Sequence, residues 1–261
     1  MELVWFGAGL AVLTALTMVI HRWAGLATGW APAVAALRAV VQLAVVATVL
    51  HGVLTVPWTV LAFIALMLTT ASLTSGRRLR ELPGGRRAAV VGIAAGASVT
   101  VLLVLGLHLV AWETRYLVSV AGVIIGNSMS AAILAGRMFL RSVRERADEI
   151  QGWMALGARP SQAYAEVART AVRETLVPTI DQTASTGMVT LPGAFVGALF
   201  GGASPVQAAQ FQLVVLIGIM LTQSITALTV ACAASASPVI PLEPWTQTRA
   251  TASAGASTTP R

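Results

Sequence analysis

The sequence predicts an all-α, polytopic membrane protein. This prediction rests on its composition and on its long apolar runs. Of the 261 residues, 56% are hydrophobic and 10% are charged, and the mean hydropathy is +0.80, which excludes an ordinary soluble composition. Several apolar runs are close to the ~20 residues that a helix needs to cross a bilayer. Backbone polar groups in hydrocarbon must pair within their segment, so runs of this length predict helices rather than the shorter, alternating strands of a barrel.

Seven apolar runs define the predicted membrane spans: 3–20, 32–50, 57–75, 88–111, 116–136, 179–200 and 208–233. The first run has the length of a signal-peptide core, but no basic segment precedes it and no small-residue cleavage site precedes His21 and Arg22, which favours a span. We therefore predict a transmembrane domain over 1–235. The residues from 236 to 261 are rich in Pro, Ser, Thr and Ala, which predicts a disordered tail.

The basic residues predict the topology of these spans. All 17 are arginines, and the net charge is +7. Five lie between spans three and four, and seven lie from Arg137 to Arg173, between spans five and six. The positive-inside rule makes both loops cytoplasmic, which places the amino terminus outside, the carboxyl terminus inside and Arg115 alone in an outer loop. The charge thus indicates a multi-pass protein of the cell membrane and gives no reason to expect a nucleic-acid partner.

The insertion from 137 to 178 predicts an amphipathic helical hairpin on the cytoplasmic side. Its first helix should end near Gly157, and Pro160 suits the first turn of a second helix. A helix lying on the membrane surface, with arginines among lipid phosphates, would show the same pattern. The apolar stripe of the first helix recurs at three- and four-residue steps and comprises Leu140, Val143, Ala147, Ile150 and Met154.

Small residues recur at four-residue intervals in three of the predicted spans, a spacing that lets helix backbones approach closely. Packing within one bundle is the first interpretation of each set, and a dimer interface through span six is the alternative. The sets are Gly92 with Gly96, Gly122 with Gly126, and Gly193 with Gly197 and Gly201.

Two charged residues are predicted to lie inside the membrane. Arg38 is about seven residues into span two, about 10 Å deep at a rise of 1.5 Å per residue, and Asp181 is about 5 Å deep in span six from the same side. These depths suit an ion pair, which would act either as a structural link or as part of a substrate pathway. Gln42, one turn after Arg38, extends the same polar face.

Spans five and six also contain uncharged polar residues. Asn127 lies among Gly126, Ser128 and Ser130, and Thr183 lies in the segment 182–187. Hydrogen bonds between helices would explain these residues as well as a transport pathway would. Pro192 removes a helical hydrogen bond and Gly193 relaxes the local sterics, so we predict a kink in span six.

The sequence contains few signs of enzyme chemistry, and we predict no catalytic residue. The chain has no lysine, hence no P-loop lysine and no Schiff-base lysine. Ser128 with His108 is a weak candidate for a membrane serine hydrolase. Cys232 is the only cysteine, which excludes an internal disulfide and a cysteine-based metal cluster. No metal ligands are assigned.

Four segments together resemble the iron-export ABC permease family (FetB), whose plant relatives are aluminium-tolerance permeases. The resemblance runs from about residue 38 to residue 233. It rests on Arg38 with Gln42 and Leu43; on Gly126 and Asn127 with Met129; on Leu156, Gly157 and Ala158 followed by Pro160; and on Val177, Pro178 and Thr179 through Asp181 to Leu191, Pro192 and Gly193. Ala47 departs from the glycine that is common in the family at that position.

The resemblance implies a permease subunit that exports a metal ion such as iron. It implies a separate ATP-binding subunit as partner, with two copies of each chain, and places ATP and magnesium on that partner, so this chain would need no cofactor. The implied coupling element is Ala155, Leu156, Gly157, Ala158 and Arg159. The residues expected to form the pathway or its gate are Arg38, Gln42, Asn127, Asp181, Thr183, Pro192 and Gly193.

Two other functions fit the residues without an ATPase partner. In an ion-coupled secondary transporter, Asp181 and Arg38 would form a switch driven by protons or other ions. In a structural or assembly factor, both charges would serve only stability.

Overall fold

The computed structural model describes residues 2–53 and 57–237. The predicted tail lies outside the described residues from 238 onward. In the described part, regular structure is helical apart from one isolated β-bridge between Thr186 and Thr190. The described residues form ten helices: α1 (Glu2–Trp23), α2 (Ala31–Val53), α3 (Pro57–Arg78), α4 (Gly85–Gly106), α5 (Thr114–Glu145), α6 (Ala147–Ala155), α7 (Pro160–Ala163), α8 (Ala165–Ser185), α9 (Gly193–Phe200) and α10 (Pro205–Ser235).

Six helices in the described ranges are long and apolar enough to cross a membrane: α1, α2, α3, α4, α5 and α10. They coincide with six of the seven predicted runs, and the all-α, polytopic membrane class is confirmed. The run 179–200 is instead divided between the end of α8, a connection and α9, so the single span predicted there is corrected to two helices. Pro192 has no N–H for a helical hydrogen bond, and the connection closes on itself because the Gly187 N–H donates to the Thr190 carbonyl at 3.0 Å.

The chain divides into two compact units, residues 1–60 and 61–261. In the first unit, α1 and α2 contact each other and are joined by the turn at 24–30, where His21 Nδ1 lies 3.1 Å from Thr28 Oγ1. Arg38 and Gln42 lie one turn apart on α2, and both are exposed. The predicted pairing of Arg38 with Asp181 would join the two units, and it stays a prediction.

In the second unit, α10 is the central helix and packs against α4, α5, α8 and α9. Its closest approach is to α4, where a Cβ atom on Gly96 would lie 2.2 Å from Thr226 Oγ1 and 2.8 Å from the Thr222 carbonyl oxygen. The face of Gly92 and Gly96 therefore packs within the bundle. By contrast, a Cβ atom on Gly126, Gly193 or Gly197 would meet nothing within 4 Å.

The hairpin is joined to the bundle without a loop, because α5 continues to Glu145, about 48 Å in all at 1.5 Å per residue. The predicted turn is present: α6 ends at Ala155, Gly157 has a φ of +88°, and Pro160 is the first residue of α7. The position of the hairpin relative to the membrane surface stays a prediction. Its apolar stripe belongs to the protein core, where Val143 and Ile150 are almost wholly buried.

Candidate functional site

Three polar side chains join α5, α10 and α8 inside the bundle. Gln223 Nε2 donates to Asn127 Oδ1 at 3.2 Å, and Thr179 Oγ1 donates to Gln223 Oε1 at 2.6 Å. Asn127 Nδ2 in turn donates to the Val123 carbonyl at 2.9 Å. We call Thr179, Gln223 and Asn127 the amide ladder. It places the predicted residue Asn127 in a network that spans three helices.

The amide ladder lies near the middle of the membrane-spanning part of α5. The apolar stretch of that helix runs from Leu117 to Gly136, 20 residues or about 30 Å. Asn127 is the eleventh of these residues, about 15 Å from either end by the same rise. Polar groups at this depth are costly unless they are paired, so the hydrogen bonds of the ladder meet a structural need of the bundle.

Gln223 is a site residue that was not predicted from the sequence. Its side chain is only 7% exposed, and it provides both the donor and the acceptor that connect the ladder. The sequence feature that could have identified Gln223 is its amide side chain within the apolar run of α10. A neighbouring pair, Ser128 Oγ and Thr222 Oγ1 at 2.6 Å, lies on the next positions of the same two helices.

Gln223→Leu removes both interhelical hydrogen bonds of the ladder and is expected to destabilise the bundle. Interhelical hydrogen bonds in membranes contribute on average about 0.6 and at most about 1.7 kcal/mol each, so we expect a loss of about 1–3 kcal/mol. The measurement is unfolding of the purified chain in mixed micelles. A double-mutant cycle with Thr179→Val isolates the α8–α10 bond, and strictly additive effects would contradict the hydrogen bond between these two residues.

Of the predicted pathway residues on α8, Thr183 lies beside the ladder and Asp181 does not belong to it. Thr183 is half-buried, and its Oγ1 donates to the Thr179 carbonyl at 2.8 Å, one turn away. Asp181 is exposed, two residues beyond Thr179 and therefore on another side of the helix. The structure thus brings together Asn127 and Thr183 through Thr179 and Gln223, and leaves Asp181 outside this network.

Pro192 and Gly193 lie where α9 begins. Pro192 is the residue before the first turn, and the Phe195 N–H donates to Gln212 Oε1 of α10 at 3.1 Å. Gln212 is buried, so this bond attaches the start of α9 to the central helix. The kink predicted here is a complete interruption of the helix.

A cavity of about 680 Å³ lies between α9, the α4–α5 connection and the first turns of α5 and α10. Arg115 lies in this lining with its guanidinium 5.5 Å from the Tyr116 ring centre, and Arg115 Nε pairs with Glu113 at 2.5 Å. From the sequence, Arg115 had served only to predict the topology. The polar and aromatic lining is Arg115, Tyr116, Ser119, Gln207, Gln210 and Phe211, and the helix α9 contributes Ala194, Gly197, Ala198 and Gly201.

The other end of the second unit carries the hairpin, whose base is buried. Tyr164 is 1% exposed, and its ring centre lies 5.6 Å from that of Phe139 on α5. Burial raises the pKa of the Tyr164 hydroxyl, which keeps this side chain neutral. The hairpin is therefore fixed to the bundle by a packed apolar base.

The turn of the hairpin, by contrast, presents apolar side chains to the outside. We call residues 153–159 the hairpin tip. Leu156 is 83% exposed and Trp153 is 53% exposed. Ala155 and Arg159 are also exposed, and Ala158 is half-buried. Gly157 makes the turn between them with a φ of +88°, a backbone conformation that side chains with a Cβ rarely adopt.

The weak serine hydrolase candidate is not assembled. Ser128 is fully buried and its hydroxyl donates to the Ile124 carbonyl at 2.9 Å, whereas His108 is exposed and its Nδ1 lies 3.1 Å from the Gly106 carbonyl. Within the described ranges, no three His, Cys, Asp or Glu side chains are grouped closely enough to hold a metal ion. Cys232 is a free, exposed thiol.

Comparison with known proteins identifies the relatives of this chain. Residues 5–237 match UPF0014, described as an uncharacterised protein family. The UPF0014 membrane protein STAR2 of Oryza sativa subsp. japonica is 36% identical over 194 residues, which are 73% of this chain and 68% of STAR2. Protein ALUMINUM SENSITIVE 3 of Arabidopsis thaliana is 32% identical, over 72% of this chain and 71% of that protein.

A bacterial relative has a more specific name. The probable iron export permease protein FetB of Escherichia coli (strain K12) is 28% identical over 197 residues, which are 75% of this chain and 76% of FetB. No solved structure matches. The family match covers nearly the whole described chain, and the resemblance found in the sequence is confirmed: this chain belongs to the UPF0014 family of membrane proteins.

Proposed function

We propose that this chain is the membrane-spanning permease subunit of an ABC transporter that exports a metal ion such as iron. A separate subunit would bind ATP and magnesium and hydrolyse the nucleotide, and this chain would form the transport pathway. The observation that carries the proposal is the apolar hairpin tip, with Leu156 83% exposed on a hairpin whose base is buried. The name of the relative FetB supports the transport role and the cargo.

An exposed leucine and tryptophan at the end of a packed hairpin suit insertion into a cleft of another protein. Burying the Leu156 side chain would contribute about 1.5–3 kcal/mol to such a contact. In this proposal Ala155, Leu156, Gly157, Ala158 and Arg159 form the coupling element. An ATPase that fits the tip differently in its open and closed forms would bias the conformation of the bundle.

The helix α8 connects the hairpin with the amide ladder. It starts directly after Tyr164, and Thr179 lies 14 residues beyond Ala165, about 21 Å along the helix. Pro178 lacks an N–H, so α8 has one fewer hydrogen bond immediately before Thr179 and bends there more easily. We infer that movement of the tip changes the contact of Thr179 with Gln223 and opens or closes the bundle.

The proposed pathway combines the predicted residues with those of the ladder. Asn127, Thr183, Pro192 and Gly193 would form it in the second unit, together with Gln223. The cavity beside Arg115 would be its wider end. Asp181 in the second unit and Arg38 and Gln42 in the first remain candidates for a gate.

We further propose a multi-pass arrangement in the cell membrane, with the amino terminus outside and the hairpin and carboxyl terminus in the cytoplasm, where the arginine-rich segments would meet membrane lipids. Two copies of the chain would assemble with two ATPase subunits. The open face of Gly193 and Gly197, where a Cβ atom would meet nothing within 4 Å, suits a contact between the two copies.

The second candidate is an ion-coupled secondary transporter without an ATPase. The observation that favours it is the exposed carboxylate of Asp181 on α8, in a segment predicted to lie in the membrane. Transport by the purified chain alone, dependent on a pH gradient and lost in Asp181→Asn, would support this alternative.

Gentle purification of the tagged, full-length chain from its native membrane tests the proposal. We expect a stoichiometric ATP-binding subunit to co-purify, because the exposed Leu156 and Trp153 of the hairpin tip would be buried in its cleft. Mass spectrometry of the complex identifies it, and ATP hydrolysis by the complex should respond to the cargo. Repeated absence of such a subunit, with the chain intact and folded, would contradict the ABC permease and favour the secondary transporter.

A further inference from the structure

A second cleft, of about 460 Å³, lies where α5 leaves its apolar stretch and meets the α3–α4 connection. We call it the arginine cleft. Arg137, Arg141 and Arg144 follow one another at steps of four and three residues, which puts them on one face of α5. The cleft is lined by Glu81, Arg137, Leu140, Arg141, Arg144 and Glu145.

The shape of the arginine cleft is held by buried leucines. Leu79 is fully buried beside Gly136, where a Cβ atom would lie 2.5 Å from Leu79 Cδ2. Leu82 is buried in the same connection, and Leu140 is buried on the side of α5. The connection that carries Glu81 is therefore seated directly on α5, which fixes the backbone on both sides of the cleft, while the charged side chains that line it are exposed.

The charges of the cleft leave one guanidinium available. Arg144 Nη2 pairs with Glu81 Oε2 at 3.1 Å, and Arg141 Nε pairs with Glu145 Oε1 at 2.8 Å. Both carboxylates of the cleft are thus engaged. Arg137 is exposed, and among the described residues no carboxylate lies within ion-pair distance of it. Three guanidinium groups against two carboxylates give the cleft a net charge of +1.

The depth of the cleft matches the lipid headgroups. Arg137 directly follows the 20-residue apolar stretch of α5, and Arg141 lies about 6 Å further along the helix axis. The headgroup region extends roughly 5–7 Å beyond the hydrocarbon on each side. A lipid phosphate at this level would reach Arg137 and Arg141 while its acyl chains remain in the hydrocarbon.

We propose that the arginine cleft binds the phosphate of an anionic phospholipid, with Arg137 as its main contact and Arg141 as the second. Guanidinium groups bind phosphate oxygens in a bidentate way. Arg137 is free to do so, and Arg141 can do so because its carboxylate partner, Glu145, is exposed and easily displaced. Basic clefts between membrane helices at the headgroup level are a recognised way to hold anionic lipids. The cleft would thus select a lipid and is independent of the cargo.

Native mass spectrometry of the full-length chain tests this proposal. The chain is titrated with phosphatidylglycerol and, separately, with the zwitterionic phosphatidylcholine of the same acyl chains. Arg137→Gln is compared with Arg87→Gln, which removes an exposed arginine at the start of α4 outside the cleft. One arginine near a membrane surface contributes about 1 kcal/mol, so we expect Arg137→Gln to weaken phosphatidylglycerol binding about fivefold and Arg87→Gln to leave it within twofold.

Three outcomes would overturn the proposal. Equal losses of phosphatidylglycerol affinity in Arg137→Gln and Arg87→Gln would mean that the lipid responds to diffuse surface charge. Equal binding of phosphatidylglycerol and phosphatidylcholine would mean that the cleft does not recognise the charge of the lipid. Displacement of the lipid by millimolar inorganic phosphate would assign the cleft to soluble phosphate instead. Size-exclusion profiles of both variants identify misfolding, and Arg141→Gln provides a second test of the cleft, with the same expected direction.

Discussion

Leu156→Gln is expected to uncouple this chain from the proposed ATPase subunit while leaving the bundle folded. The side chain is 83% exposed, so its replacement costs the free chain little, whereas the proposed complex loses a buried apolar contact. At about 1.5–3 kcal/mol per buried leucine, the partner should bind about ten- to hundredfold more weakly. The measurements are the affinity for the purified ATPase subunit and ATP-dependent transport in proteoliposomes.

Leu107→Gln is the matched control for this variant. Leu107 is also an exposed leucine directly after a helix, 64% exposed at the end of α4 near the cavity rather than near the hairpin. We expect normal partner affinity in this control. If Leu156→Gln bound and transported as the unmodified chain does, the hairpin tip would not be the coupling element. Gly157→Trp adds a second test, because it combines a bulky side chain with a φ of +88°.

The hairpin shows what local sequence signals predict well. The turn at Gly157 and Pro160 follows from backbone preferences of single residues, and both are where the sequence analysis put them. The three-to-four periodicity also identified the apolar stripe, but the single helix predicted for it is corrected, because the structure divides it at Arg146 into the end of α5 and α6. The periodicity did not identify what covers that stripe, because a membrane surface and a protein core bury the same stripe. The structure assigns Val143 and Ile150 to the core.

The candidate site was only half predictable for a related reason. Asn127 stood out as an amide in an apolar span, but its partner Gln223 is 96 residues away along the chain, and Thr179, which donates to Gln223, is 52 residues from Asn127. No local pattern encodes which polar residues of separate helices will meet. The length of the apolar run likewise predicted one span over 179–200. In the structure, Pro192 and the turn closed by the hydrogen bond from Gly187 to Thr190 divide this segment into two helices.

Gly96→Ala is expected to disrupt the contact between α4 and α10. The added Cβ atom would lie 2.2 Å from Thr226 Oγ1 and 2.8 Å from the Thr222 carbonyl oxygen. Thr226 Oγ1 already donates to the Gly92 carbonyl at 3.1 Å, so it has little room to turn, and a backbone carbonyl moves only if the helix moves. Overpacking of this kind costs about 1–3 kcal/mol or more. Thermal unfolding in detergent measures the loss.

Gly126→Ala is the control for this substitution, since Gly126 lies in a membrane helix and its Cβ would meet nothing within 4 Å. We expect it to be neutral or slightly stabilising, as alanine favours helix over glycine by up to about 1 kcal/mol. Similar stability in Gly96→Ala and Gly126→Ala would contradict the close packing of α4 on α10. A clear difference would support close packing of α4 on α10, which the proposed movement of α8 against these two helices requires.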